Sequence, residues 1–199
     1  ENITGQTEDD CVALTALKGR SETRFFVPEK GWDIHHIVIK NVMTRVLSGA
    51  QLRLLCADGT RVHDVCADTL VDTSPAQAWQ TSVFLGYAIL AEYIRERTSV
   101  RGEMTNISIS NVFSNSYRAI LAGCALENLR ITNLYCRSGV RHAVTTENIA
   151  ELHACMIDGV FCEAGACPEA IFSFRGETQG ALRIRNIHAL ETKCVVRSE

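Results

Sequence analysis

Ile107-Ser108-Ile109-Ser110-Asn111-Val112-Phe113-Ser114 and Leu129-Arg130-Ile131-Thr132-Asn133-Leu134-Tyr135-Cys136 share one frame. Apolar and polar residues alternate up to the second Ile, the pattern of a short strand with one buried face. A polar–Asn pair then separates two apolar residues. The core of this frame (apolar, polar, Asn or Gly, apolar) recurs along the chain. It reads ITGQTE from Ile3, IKNVMT from Ile39, ADTLVD from Ala67, ISNVFS from Ile109, ITNLYC from Ile131, IDGVFC from Ile157 and IRNIHA from Ile184. The first positions lie 36, 28, 42, 22, 26 and 27 residues apart.

A second strand-like block follows each first block. These are Val12-Ala13-Leu14, Leu52-Arg53-Leu54, Val83-Phe84-Leu85, Ile120-Leu121-Ala122, Ala143-Val144-Thr145, Ile171-Phe172-Ser173 and Cys194-Val195-Val196. A repeat of only short strands cannot bury its apolar side alone, so it must stack on its neighbours. The fixed Leu-x-x-Leu-x-Leu frame of leucine-rich repeats is absent, as are the Asn-Gly turns of hairpin sandwiches. The expectation is an all-β fold: a single-stranded right-handed parallel β-helix, a solenoid of about seven coils, over 1–199. Asn41, Asn111, Asn133 and Asn186 fall at one point of the repeat and are expected to form an amide ladder at a coil corner.

Two spacings are long. They place loop insertions near 18–32 (KGRSETRFFVPEKG and Trp32) and 86–104, where LAEYIRERTSVRGE is compatible with a short helix. Phe25, Phe26 and Trp32 either pack the first loop on the coils or offer an aromatic face to a sugar ring. The chain begins almost inside a strand pattern. It is therefore expected to be the C-terminal part of a longer β-helix, with upstream coils or a capping chain at that end.

Composition narrows the partners. A net charge of −3, with both signs scattered, gives no basic face for nucleic acid. The longest apolar stretch, Val83 to Ile94, contains Glu92 and is too short to span a bilayer. At 46% hydrophobic and 22% charged, the chain reads as a soluble folded protein, in a bacterial cytoplasm or secreted with its signal upstream. Nine cysteines form no CxxC pair and no zinc-finger spacing, so most read as free, buried, small apolar residues, with one or two bridges left open; no metal and no cofactor is expected.

One segment looks chemical: Gly5-Gln6-Thr7-Glu8-Asp9-Asp10-Cys11-Val12-Ala13-Leu14. Three acids side by side repel one another, and a pair of carboxylates is the equipment of glycoside hydrolysis. Acids before a strand also form turns. Stacking Val12 on Leu52 puts Arg53 beside the strand that follows the Asp pair. It points away from the core there, to bind a uronate carboxylate or to pair with Asp9 or Asp10. His35 and His36 precede the next strand. They serve as a base if the first loop folds over the groove, and as loop residues otherwise. Arg118, Arg141 and His142 flank later second strands.

The segment TEDDCVALTAL resembles the GDDCIAI segment of polygalacturonases, glycoside hydrolase family 28 of the pectin-lyase-like superfamily. HHIVIKNV, LRLLCADGTRVHDV and LVDTS are similar to bacterial relatives in that superfamily. The resemblance implies a β-helix and makes Asp9 and Asp10 the catalytic carboxylates. The family's Asn-Thr-Asp motif would fall before Glu1. The level of its Gly-His-Gly motif is occupied by Ser48-Gly49-Ala50, without histidine, and its Arg-Ile-Lys motif is not found. Three functions stay open: a glycoside hydrolase on a pectic or other acidic polysaccharide, a polysaccharide lyase using Arg53 and Ca²⁺ held by the acids, and a non-catalytic glycan-binding or structural β-helix.

Overall fold

In the computed structural model, the asparagine of the repeat explains the fold. Residues 1–17, 32–76, 80–87, 97–147, 150–175 and 181–198 are described. Asn41, Asn111, Asn133 and Asn186 all have φ between 53° and 56°, in the left-handed region that Asn tolerates better than most residues. One such residue turns the strand by a corner and resets its alternation. This is why two residues, not one, separate the inward Ile109 and Val112, both 0% exposed.

The strands run in order. They are β1 (Ile3–Thr7), β2 (Val12–Ala16), β3 (Ile34–Val46), β4 (Ala50–Cys56), β5 (Val62–Asp72), β6 (Thr81–Leu85), β7 (Met104–Ser114) and β8 (Arg118–Ala122). Then come β9 (Leu126–Cys136), β10 (His142–Thr146), β11 (Leu152–His153), β12 (Cys155–Cys162), β13 (Ala170–Phe174), β14 (Leu182–Ala189) and β15 (Cys194–Ser198). They form two parallel sheets. One follows the order β1-β3-β5-β7-β9-β12-β14, and the other β15-β13-β10-β8-β6-β4-β2. The chain therefore alternates between sheets, laying one strand on each per rung. Among the described residues there is no helix, and none long and apolar enough to cross a membrane. β11 pairs with β9 and is the opening of β12, cut off by the corner residue Ala154 at φ 52°.

Register follows the first blocks. Ile39, Ala67, Ile109, Ile131, Ile157 and Ile184 are partners in one inward column. Val42, Leu70, Val112, Leu134, Val160 and Ile187 form the next. Each buried aliphatic contributes about 1.5–3 kcal/mol. ITGQTE is an exception: Ile3 pairs with Val42, so it holds the fourth position of the block and Asn2, at φ 58°, holds the corner. Three second blocks are also shifted. Val144, Phe172 and Val196 align with Ile120, where Ala143, Ile171 and Cys194 were expected.

The amide ladder forms, with substitutions. Asn41 Nδ2 donates to Asn2 Oδ1 at 2.9 Å, and Asn133 Nδ2 to Asn111 Oδ1 at 3.0 Å. Where Thr69 and Gly159 replace Asn, the preceding aspartate accepts instead. Asn111 donates to Asp68 and Asn186 to Asp158, each at 2.7 Å. A second corner carries His36, Asp64, Asn106, Asn128 and Ala154, all at positive φ. Its bonds run from Asn106 to Asp64 and from Asn128 to Asn106.

Candidate active site

Asp9 and Asp10 lie in the turn between β1 and β2, at the level where β3 passes into β4. The turn is tied to the next rung by Leu47 N donating to Thr7 O and Cys11 N donating to Ala50 O, both at 3.0 Å. Asp10 reinforces this tie: its Oδ1 accepts from Ala50 N at 2.7 Å. Its Oδ2 meets Arg53 Nε at 2.8 Å, with the two side chains only 7% and 6% exposed. Asp9 is exposed, and its Oδ1 accepts the Asp10 backbone N–H at 2.9 Å. Gly49 makes room for both. At φ +81°, its missing β-carbon would lie 2.6 Å from Asp10 Oδ1 and 2.6 Å from Asp9 Oδ1.

Arg53 alternates with the core residues Leu52 and Leu54 and so points away from the core, in register with Ala13 and Phe84. That outer face is covered: Arg53 is 5% exposed, and Leu17, Leu55, Ala57 and Tyr87 form a second small apolar cluster. The guanidinium also reaches Thr15 Oγ1 at 3.3 Å and Tyr87 Oη at 3.4 Å. The structure therefore brings Asp10 and Arg53 together as a buried pair. Such a pair is destabilising to break, because one charge is then left unpaired. The exposed chemistry at this turn is that of Asp9 and Glu8.

The remaining expected residues lie elsewhere. His35 and His36 open β3, in the other sheet. His35 stacks on its register partner His63 with ring centroids 5.0 Å apart. His63 Nδ1 is 2.7 Å from Asp64 Oδ2, a contact that holds Asp64 below the usual carboxylate range. Trp32 is 70% exposed. Phe25, Phe26 and the first half (90–96) of the segment expected as a helix lie outside the described residues, and its described half, 97–103, is turn and bridge, not helix. Arg118 and His142 are register partners in β8 and β10, and His142 Nδ1 is 3.0 Å from Ala170 O.

Sequence spacing missed one cluster. The Sγ atoms of Cys136, Cys162 and Cys167, all buried, lie within 4.8 Å of one another. Cys162 is pulled down from the ordinary thiol range by hydrogen bonds from Cys136 and Cys167, while Cys136 is pushed up by contact with Cys162. All nine cysteines are free in this structure, and six of them are buried.

No protein-family model, no curated protein and no solved structure matches this chain.

Proposed function

We propose that the two parallel sheets are the walls of a right-handed parallel β-helix of about seven coils. We further propose that the chain is a glycoside hydrolase acting on a pectic or other acidic polysaccharide. The observation that carries this reading is an exposed carboxylate, Asp9, directly beside Asp10, whose charge is held by Arg53. In this reading Asp9 meets the substrate and moves the proton. Asp10, paired with Arg53 and bonded to Ala50 N, fixes the turn that presents Asp9 to the oxocarbenium-like transition state. Arg53 acts through Asp10, and Trp32 offers a sugar ring an open aromatic face.

Reducing-end release should be measured across plant and bacterial polysaccharides, with Asp9→Asn compared at unchanged circular dichroism. Activity on a confirmed substrate is expected to fall at least about a hundredfold, the scale of a lost general acid. Full activity in the variant would sink the assignment. Ultraviolet-absorbing unsaturated products would instead assign a lyase.

A second reading has its own support. Both Asp10 oxygens are engaged and the side chain is 7% exposed, as suits a turn pin in a glycan-binding or structural β-helix without catalysis. Binding of a polysaccharide without turnover would favour it.

A further inference from the structure

Cys136, Cys162 and Cys167 are brought together by register and one turn. Cys136 and Cys162 are partners at the ends of β9 and β12, in a column that runs Ser114, Cys136, Cys162, Ala189. They are 1% and 7% exposed. Cys167 enters from the turn before β13, fully buried, its backbone N–H donating to Val140 O at 2.8 Å. It does so at φ 48°, a conformation that costs an L residue about 1–2 kcal/mol and is normally given to Gly or Asn. Glycine would be the relaxed choice here, and the position carries a thiol instead.

The other buried cysteines face hydroxyl, thioether or carbonyl groups. Cys56 contacts Ser99 Oγ, Cys124 contacts Leu85 O and Met104 Sδ, and Cys155 contacts His153 O. Cys136, Cys162 and Cys167 face one another. Ligand sulfurs of one ion, each about 2.3 Å from it, stand roughly 4 Å apart. The observed cluster, within 4.8 Å, is close to that spacing before any ion draws it in. A cavity of ≈ 270 Å³ lies at this end of the two strands, lined by Tyr135, Phe161, Arg137 and Glu163 together with Cys136 and Cys162.

We propose that Cys136, Cys162 and Cys167 form a three-thiolate site for one thiophilic d¹⁰ metal ion, Zn²⁺ or Cu⁺. Thiolate ligands select such soft or borderline ions over Mg²⁺ or Ca²⁺. Binding forms three metal–sulfur bonds and releases the three thiol protons to solvent, with no change of oxidation state. Cu⁺ is satisfied by the three sulfurs alone, and Zn²⁺ takes a fourth ligand from solvent. The ion ties β9, β12 and the turn before β13 into one unit and so raises stability. The site is independent of the Asp9–Asp10 turn.

The test uses the full chain, reduced and freed of metal, titrated with Cd²⁺ as a spectroscopic probe and then with Zn²⁺. The expected result is one ion per chain, a sulfur-to-cadmium charge-transfer band and a raised thermal midpoint. Cys162→Ser is expected to weaken binding by more than the roughly 10–100-fold that loss of an outer-shell partner costs. Cys66→Ser and Cys194→Ser, at exposed cysteines, should bind as the parent does. Cys167→Gly guards against a folding artefact, because glycine relieves the backbone strain while removing the ligand. That variant should fold at least as stably without metal and fail to bind. Undiminished Cd²⁺ binding in Cys167→Gly would overturn the proposal. So would absence of the charge-transfer band in the parent, or a disulfide among the three cysteines in reduced protein.

Discussion

Thr69 stands where the repeat places Asn, at φ 60°, and a β-branched residue is strained in that region. Asn at this position tolerates the conformation and places an amide between Asn41 and Asn111. Thr69→Asn is therefore expected to stabilise the protein by about 1 kcal/mol, read as a shifted urea midpoint. Gly49→Ala should act the other way, since its methyl would push on the carboxylates of Asp9 and Asp10 and on a positive φ. A loss of about 2 kcal/mol or more in chemical denaturation is expected. Asp68 gives the corner a pH dependence. Hydrogen bonds from Ser110 and then Asn111 to its carboxylate lower its pKa in the folded state. Its contribution is thus fully present above the unfolded carboxylate value of about 3.9 and is lost as pH falls through the lower folded value. Asp68→Asn should flatten the acid side of the stability–pH curve, and an unchanged slope between pH 5 and 2 would contradict this role.

Between strands, side-chain columns do the work of tertiary packing. On the outer face of the long-strand sheet, Phe113, Tyr135, Phe161 and His188 stack with centroids 4.5, 4.9 and 5.0 Å apart. Tyr135 is sandwiched, so Tyr135→Ala removes two stacks worth about 0.5–1.5 kcal/mol each and should lower stability by at least that sum. Inside, Asp72 is 2% exposed and accepts from Ser116 Oγ at 2.6 Å and Ser74 N at 2.8 Å. The first-block registers, ITGQTE apart, were legible in the sequence because one face of those strands is core and the other partly open. β7 shows this, with Ile107 and Ile109 buried and Ser108 and Ser110 half-buried. The second blocks from Ala143 onward were not legible. Every residue of β13 is buried, and in β10 the inward Thr146 and the opposite-facing Ala143 are both 0% exposed, so alternation carries no signal there. Stacking Val12 on Leu52 was enough to place Arg53 beside the Asp turn. The three cysteines stayed hidden because they meet only through a register and a turn that spacing alone does not specify.

For the molecule as a whole, each described ladder joins a rung only to its neighbours in the stack. Stability is then close to a sum of rung terms and nearest-neighbour terms. The central strands β4, β6 and β8 are almost wholly buried, whereas β15 is exposed throughout and β14 largely so. Amide exchange is therefore expected to be slowest in β4 to β8 and fastest in β14 and β15. Uniform protection along the chain would show a cooperativity that neighbour contacts alone do not explain. The same arrangement sets the response to force. Inter-strand hydrogen bonds lie along the stacking direction, so tension in that direction loads the rungs in series and peels them off one after another at modest load. Tension along the strands shears whole ladders at once. The protein should be a directional material, compliant along its axis and stiff across it.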